Sequence, residues 1–340
     1  MAEQHVGANS VAAALPAALI SRIRYEQGRL EEAEVMLVDR LPLITAGAML
    51  ECVWSAYFAM ARLAALRMNF DRAHTLLEWA ESLGMERNWG RLCAAVGLER
   101  LWLLFKEGRT SEAVAARERL ERLTEEFDPS VDFAWIDIRR YSALAGAYLA
   151  SAHQRFDEAI STLQGLKEDA ERAQNHYFGL RVATHLSIVR FSANQTDEAL
   201  SEFRRVLNVS ARAGIHRTIL DEGPKIGALL TAFQQNAERS GESTGLMPYV
   251  NGLIAALPSP HQSAADFTPG AGLADPLSAR EGAILNLIAQ GLSNKEIARN
   301  LTIAPETVKS HVKRIFTKLG AEKRAQAVAR AQSLGLVTTH

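Results

Sequence analysis

The chain has 340 residues, of which 48% are hydrophobic and 23% charged, and a formal net charge of −1; these values are typical of a soluble globular protein with two or three domains. No apolar run approaches the ~20 residues that span a bilayer, so no transmembrane segment and no membrane partner are expected. Cys52 and Cys93 lie too far apart in the sequence for a Cys-x-x-Cys site. Both lie in helix-like apolar runs, which favours buried free thiols and a cytoplasmic location.

The first apolar stretch, VAAALPAALI, contains a proline and follows no Lys or Arg, so we interpret it as a helix and not as a signal peptide. Beyond it, five stretches share a polar or turn-forming start, acidic or polar residues and then an alanine. They are GRLEEA (28–33), NFDRAH (69–74), GRTSEA (108–113), RFDEAI (155–160) and QTDEAL (195–200). Their alanines are Ala33, Ala73, Ala113, Ala159 and Ala199.

These alanines follow one another at intervals of 40, 40, 46 and 40 residues. A repeat of this length, with almost no strand-like pattern, predicts helix–turn–helix units stacked into an α-solenoid of about five pairs with a concave face. The apolar stretches 140–154 and 181–193 fit the first helices of two pairs. First helices usually line the concave face, and here they offer Trp54, Tyr57, Trp102, Arg139, Tyr141, Arg181 and His185. All of these also suit ordinary packing, so the effector-binding residues stay unknown.

Residues 15–235 resemble tetratricopeptide-like repeats with a period longer than the usual ~34 residues. They are also similar to the helical sensor region of the large MalT-like regulators of the LuxR family. The segment TILDEGPKIGALL (218–230) resembles the end of that region. The resemblance implies that the solenoid senses a small-molecule effector or a protein partner.

After a short predicted helix at Tyr249–Leu257, the sequence PSPHQSAADFTPGAGLADP (258–276) is rich in Pro, Gly, Ala and Ser and predicts a flexible linker. We therefore predict three regions: a helical-repeat sensor or interaction domain at 1–257, a linker at 258–274 and a further domain at 275–340.

The last region is basic. From Pro276 to His340 there are ten Lys or Arg and four Asp or Glu, a net of +6, which leaves −7 for the rest of the chain. A basic end attached to an acidic body favours a nucleic-acid partner, although a solvated basic helix surface would have the same charge.

Four helices are predicted in this basic region, which makes the whole chain all-α. The first covers 277–291, with Ser278 and Glu281 as a capping box, and the second begins after Ser293 and ends near Leu301. A long helix follows at 305–319 and a fourth at about 323–334. The long helix has one apolar stripe and an opposite cationic and hydroxylated face. The stripe is Val308, Val312, Ile315 and Leu319, and the opposite face is Lys309, Ser310, Lys313, Arg314 and Thr317.

The stretches LSAREGAIL, GLSNKEIARNL, IAPETVKSHVKRIFTKLG and KRAQAVARA strongly resemble the LuxR/FixJ-type helix-turn-helix domain over residues 275–337. The resemblance implies that helix 305–319 enters the major groove of double-stranded DNA. Lys309, Ser310 and Lys313 would then read bases, Arg314 would lie on the same face, and Asn294, Lys295, Thr307 and His311 would contact the backbone. For His311, partial burial as a packing residue is an equal alternative.

The fourth helix is the usual dimer surface of that family, so Ala325, Val328, Ala329 and Gln332 would either line a homodimer interface or pack on their own domain. One departure from the family is Ala304, at a position where Ser or Thr often caps the recognition helix. Losing such a cap costs roughly 0.5–2 kcal/mol, which Pro305 at the first helical position partly offsets.

Large members of that family carry a P-loop ATPase, but this sequence contains no G-x-x-x-x-G-K-[ST] motif. The chain is therefore expected to be either the C-terminal part of a longer regulator or a form whose switch works without ATP. Catalytic and metal-ligand patterns are also missing from the sequence, so no enzyme activity, cofactor or metal is expected. We predict a sequence-specific transcriptional regulator, with RNA polymerase as a further candidate partner. The alternative is a helical-repeat interaction scaffold whose tail binds DNA nonspecifically.

Overall fold

The computed structural model describes residues 10–47, 49–126, 134–240, 245–257, 284–285, 287–289, 291–300, 305–319, 321 and 323–333. The chain divides into two compact units, Met1–Leu257 and Pro258–His340. Across the described ranges the regular structure consists of helices without strands, as the all-α prediction requires. Within the same ranges, no helix is both long and apolar enough to cross a membrane.

The first unit begins with α1 (Val11–Glu26), α2 (Leu30–Val35) and α3 (Leu41–Gly47). Four regular helix pairs follow: α4 (Leu50–Leu66) with α5 (Phe70–Glu86), α6 (Gly90–Lys106) with α7 (Thr110–Glu126), α8 (Ala134–Ala152) with α9 (Phe156–Arg172), and α10 (His176–Ser192) with α11 (Thr196–Ala213). The unit ends with α12 (Arg217–Leu220), α13 (Pro224–Ser240) and α14 (Met247–Ala255). If α1 and α2 are counted as the first pair, with α3 as an additional short helix, these are the five predicted pairs.

Three-residue connections join the regular helices except between α7 and α8. The α4–α5 connection shows the geometry of these short connections. Met68 has a φ of 57°, and the amides of Met68 and Asn69 bond the carbonyls of Ala65 and Ala64 at 3.0 and 2.9 Å, which is a Schellman motif. The Asn69 side chain then accepts a bond from the Arg72 amide at 3.2 Å and caps α5. One residue therefore ends one helix and begins the next. Left-handed residues recur at the corresponding ends of helices, at Gly28, Asn88, Gly108, Gln154, Gln174 and Asn194.

The five aligned alanines explain why the units stack closely. Each lies in the first turn of the second helix of a pair, and each is fully buried in the core. A larger side chain at these points would separate the packed helices. Both cysteines are buried and free, and burial raises the pKa of the Cys93 thiol to about 11.

Three predicted boundaries shift in the structure. The helices placed at 140–154 and 181–193 begin at Ala134 and His176. Asp137 and Arg139 in the first helix and Gly179 in the second interrupt the apolar pattern before the predicted starts. The short helix predicted at Tyr249–Leu257 begins two residues earlier, at Met247, with Pro248 in its first turn. The predicted linker at 258–274 lies outside the described residues.

The second unit contains α15 (Asn294–Asn300), α16 (Pro305–Leu319) and α17 (Arg324–Ser333), and the described residues 284–285 and 287–289 before them are also helical. The bounds of α16 are those predicted from the sequence. Its core is apolar, with Ile284, Leu285, Ile288, Ile297, Val308, Ile315 and Leu319 all buried. Predicted positions at Ser278, Glu281 and Ala304 lie outside the described residues.

Candidate nucleic-acid interface and interior pocket

In the second unit, α16 presents opposite chemistry on its two sides. Val308, Ile315 and Leu319 are buried in the apolar core, and Val312 packs against it half-buried. Lys309 and Lys313 are exposed, and because they are four residues apart they lie on one side of the helix, one turn from each other. Side chains with cationic ends on a rigid helix can bond phosphate oxygens and the acceptor atoms of guanine.

The preceding helix α15 is held by a reciprocal cap at its start. The Ser293 amide and hydroxyl each donate to a Glu296 carboxylate oxygen at 2.7 Å, and the Glu296 amide donates back to the Ser293 hydroxyl at 3.4 Å. The bond from the Ser293 hydroxyl lowers the pKa of Glu296. Asn294 is half-buried and Lys295 is exposed in the first turn of this helix. The cap therefore places Asn294 and Lys295, the two residues of this helix predicted to contact the DNA backbone, at a defined helix start.

The other predicted residues of this unit are described unevenly. His311 is half-buried on α16, consistent with its alternative as a packing residue. Val328 on α17 is half-buried and packs against the core, and Arg324 at the start of α17 donates to the Ile288 carbonyl at 3.4 Å. The remaining residues lie in α16 or α17 with side chains outside the described part. They are Thr307, Ser310, Arg314, Ala325, Ala329 and Gln332.

The first unit encloses a pocket of about 510 Å³, called here the interior pocket. It is lined by α1, α4, α6, α8 and α10, the first helix of each pair, together with residues 213–215. A pocket of this volume is in the range of small-molecule sites. The inner position predicted for the first helices is therefore the one observed.

Aromatic rings form one wall of the interior pocket. Trp54 contacts Phe58 and Tyr141 edge-to-face, with ring centroids 5.8 and 5.9 Å apart. Tyr141 in turn contacts Phe178 at 6.0 Å. Edge-to-face contacts of this kind hold the rings in fixed orientations, so the wall is a preformed apolar surface contributed by three different helices.

An ion-pair network lies at the inner end of the pocket. Arg62 donates two bonds to Glu99, at 2.8 and 2.6 Å, and Arg181 donates a third at 3.0 Å. Burial by itself would raise the pKa of Glu99, but the charges of Arg62 and Arg181 outweigh it and bring this pKa to about 2. Glu99 is therefore an anion at neutral pH, and it joins α4, α6 and α10 across the interior.

Residues 215–222, called here the cross-segment, run back from the last pair to the first helix. The Tyr25 hydroxyl donates to Asp221 at 2.8 Å, Arg62 donates to the same carboxylate at 3.2 Å, and the Trp102 ring nitrogen donates to the Asp221 carbonyl at 2.9 Å. The adjacent Glu222 accepts from Tyr148 at 2.5 Å and lies 2.9 Å from His185 Nδ1. The cross-segment thus contacts α1, α4, α6, α8 and α10, the first helices of all five pairs.

At α1 the cross-segment makes a second set of contacts through Glu26. Thr218 donates its amide and its hydroxyl to one oxygen of Glu26 at 3.0 and 2.8 Å, and Tyr177 donates to the other at 2.6 Å. Both carboxylate oxygens of Glu26 are therefore bonded to neutral donors. These bonds join the cross-segment to α1, which contributes to the lining of the pocket.

Two protein families match the sequence of this chain. The MalT-like TPR region family matches residues 1–236, and the family of bacterial regulatory proteins called the luxR family matches residues 275–331. The first match covers more than half of the chain. The chain belongs to the MalT-like TPR family. Its 275–331 region is a LuxR-family helix-turn-helix domain, a kind of domain that binds DNA.

Individual relatives of this MalT-like chain are transcriptional regulators. The HTH-type transcriptional regulator MalT of Vibrio campbellii is 25% identical over 331 residues, which cover 90% of this chain and 34% of that protein. MalT of Vibrio cholerae is 24% identical over 329 residues, with the same coverage. The probable transcriptional regulatory protein NarL of Mycobacterium tuberculosis is 56% identical over 55 residues, 16% of this chain and 26% of that protein.

The MalT-like chain spans about a third of the length of the MalT relatives that it matches. No solved structure matches it.

Of the seven concave-face candidates in the MalT-like region, three line the interior pocket: Trp54, Tyr141 and Arg181. The other four have other surroundings. Trp102 and His185 bond the cross-segment, the Tyr57 hydroxyl lies 3.0 Å from that of Thr45, and Arg139 lies over the ring of Trp135 at 5.3 Å.

Sequence reasoning did not find Arg22, Arg62, Glu99 or Tyr177, which also line the pocket. Glu99 and Arg62 are charged residues inside apolar helices, and that local signal was available. The pairing of each charge across helices was not, because the partners are separated by 37 and 82 positions along the chain.

Proposed function

We propose that this chain is a sequence-specific DNA-binding transcriptional regulator in which α16 enters the major groove and α15 supports it against the DNA backbone. The observation that supports this most directly is the exposed pair Lys309 and Lys313, one turn apart, on a helix whose other side forms the domain core. The major groove admits an α-helix, and its guanine edges accept bonds from lysine. The remaining cationic side chains would bind phosphates of the DNA backbone.

In this arrangement Lys309, Ser310 and Lys313 read base edges, with Arg314 on the same face. Asn294, Lys295, Thr307 and His311 contact the sugar–phosphate backbone and set the register of the helix. These assignments rest on the residue types and on their positions in α15 and α16. Base contacts carry sequence information, and backbone contacts carry most of the salt-dependent affinity.

We further propose that the regulator binds a two-fold DNA site as a homodimer. Ala325, Val328, Ala329 and Gln332 of α17 would form the interface, and RNA polymerase is a candidate partner at the promoter. Residues 1–257 would sense an effector and 275–340 would bind DNA, with 258–274 as the connection between them, in the cytoplasm. The interior pocket is the candidate effector site, since its volume fits a small molecule and its walls include both aromatic and charged groups.

The test is a selection from a random duplex library at about 150 mM salt. It uses the wild-type chain, the double variant K309A/K313A and the double variant R155A/R172A. Arg155 and Arg172 are exposed in the solenoid, so the control removes the same charge from the first unit. We expect the wild type and the control to enrich the same inverted motif and K309A/K313A to enrich none.

Two results would contradict the proposal. If K309A/K313A enriched the wild-type motif with wild-type affinity, α16 would not be the recognition helix. If the wild type bound DNA tightly but without sequence preference, and with strong salt dependence, the chain would act as an interaction scaffold with an accessory DNA-binding tail.

A further inference from the structure

The charged groups of the interior pocket are unequally satisfied. Its lining contains four arginines and three glutamates: Arg22, Arg62, Arg91, Arg181, Glu26, Glu51 and Glu99. Arg62 and Arg181 pair with Glu99, and Arg91 pairs with Glu51 at 2.6 Å. The oxygens of Glu26 accept from Tyr177 and Thr218. The lining glutamates are therefore all occupied by donors of the protein.

Arg22 differs from the other three arginines. Its guanidinium carbon lies 5.2 Å from the ring centroid of Trp54 and 4.7 Å from that of Tyr177. Within the described part of the chain, no carboxylate pairs with it. Ring faces attract the cation, but they do not replace acceptors for its five N–H donors. A half-buried guanidinium held in this way is a receptor for a planar anion, which can accept two parallel bonds.

The surroundings of Arg22 restrict the rest of the ligand. The ring of Trp54 belongs both to the Arg22 contact and to the edge-to-face wall that continues through Tyr141 to Phe178. A ligand whose anionic group reaches Arg22 would therefore lay its body along aromatic rings. The volume of about 510 Å³ accommodates a small organic molecule.

We propose that the interior pocket binds a small organic monocarboxylate with an aromatic body, with Arg22 as the carboxylate receptor and the ring wall as the site for the body. The assignment rests on the proposed function in that this pocket is the effector site. One unpaired guanidinium matches one negative charge, which favours a carboxylate over a phosphate dianion. A cationic ligand would meet Arg22 and find every lining carboxylate occupied.

Calorimetric titration of the full chain tests this assignment. The probes are benzoate, phenylacetate and 3-phenylpropionate, each beside its primary amide, with phenethylamine and phenyl phosphate as further arms. We expect at least one acid to bind about tenfold or more tightly than its own amide, because a charge-assisted pair with a half-buried guanidinium is stronger than a hydrogen bond between neutral groups. Phenethylamine should not bind.

Variants of Arg22 and Arg24 test which arginine gives the preference for the acid over its amide. R22Q should reduce the preference for acid over amide to less than about twofold, and R24Q should keep it, because Arg24 lies on the same helix outside the pocket lining. R22K keeps the charge without the planar fork and should retain part of the preference. It also gives a result if R22Q loses the wild-type helicity.

The proposal is overturned if every amide binds as tightly as its acid, if phenyl phosphate binds more tightly than each acid, or if R24Q weakens acid binding as much as R22Q does. Repeating the DNA selection with the bound acid separates this proposal from the proposed function. Acid binding without any change in DNA selection would keep the ligand assignment and remove its regulatory role. Normal DNA selection without acid preference would remove only the ligand assignment.

Discussion

In the solenoid, Arg62, Glu99 and Arg181 form a buried ion-pair network, whereas in the DNA-binding unit Lys309 and Lys313 lie exposed beside an apolar core. A buried charge must be compensated, so the interior charges hold helices together and are costly to change. Exposed cations contribute little to folding. Burial therefore separates the charges that join the helices of the solenoid from the two lysines for which we propose a DNA-binding role.

The largest expected effect is on DNA binding. K309A/K313A should weaken binding to the selected site by about 2–6 kcal/mol, since each base-reading contact is worth about 1–3 kcal/mol. Its free energy of unfolding should change by less than about 1 kcal/mol, because both side chains are exposed. Equilibrium binding at several salt concentrations, with urea unfolding in parallel, measures both. A loss of stability as large as the loss of binding would break the comparison.

The buried charge to compare with the two exposed lysines is Glu99. E99Q should lower the free energy of unfolding by about 3–5 kcal/mol, because Arg62 and Arg181 would be left buried with one charge partner fewer. The matched control is E158Q, which removes an exposed ion pair with Arg155 of 2.7 Å and should cost at most about 1 kcal/mol. Urea unfolding of both variants decides the question. Equal costs would show that burial does not distinguish the two pairs.

The pH dependence of stability sharpens the same point. The pKa of Glu99 is about 2 in the folded chain against an ordinary value of 4.5, so its contribution is fully present above pH 4.5 and is lost as pH falls towards 2. The loss is on the order of 3 kcal/mol. Burial acts to raise the pKa of Glu222, but its contacts with His185 and Tyr148 lower this pKa overall. Unfolding measured at pH 7, 4.5 and 3 should show a shallower decline for E99Q than for the wild type, and parallel curves would contradict the prediction.

The smallest expected effect on stability comes from backbone conformation, and not from burial or charge pairing. Gln154 is exposed and has a φ of 60°, so Q154G should raise the free energy of unfolding by about 0.5–1 kcal/mol. Q164G makes the same change inside α9, where glycine should instead cost about 1 kcal/mol. Chemical denaturation of the two variants should give opposite signs. The same sign for both would mean that the connection does not need its left-handed residue.

Much of the architecture was predictable because it depends on local patterns. The repeat of alanines at intervals of 40 to 46 residues indicated the stacked pairs, and all five alanines are buried. Pro305, the apolar stripe and the spacing of Lys309 and Lys313 determined the limits of α16 and its exposed side. The starts of α8 and α10 were placed too late, because Asp137 and Arg139 in α8 and Gly179 in α10 interrupt the apolar pattern after the first turn.

The interior pocket was only partly predictable. Trp54, Tyr141 and Arg181 were among the concave-face candidates, but the same residue types at Tyr57 and Arg139 lie elsewhere. A solenoid position alone does not show which side chains converge, since that depends on the rotation of each pair relative to the next. Arg22 lines the pocket on a helix whose Glu26 and Tyr25 bond residues near the far end of the same unit.

The amino-acid sequence by itself determined the repeat, the all-α class and the helix that carries the candidate DNA contacts, because these follow from the spacing of apolar, small and charged residues over one or two helices. Only the tertiary structure decided which charges pair inside the solenoid and which guanidinium stays open to a ligand. Those pairings join residues up to 159 positions apart, and no local pattern contains the distance between two side chains that meet only after the chain has folded.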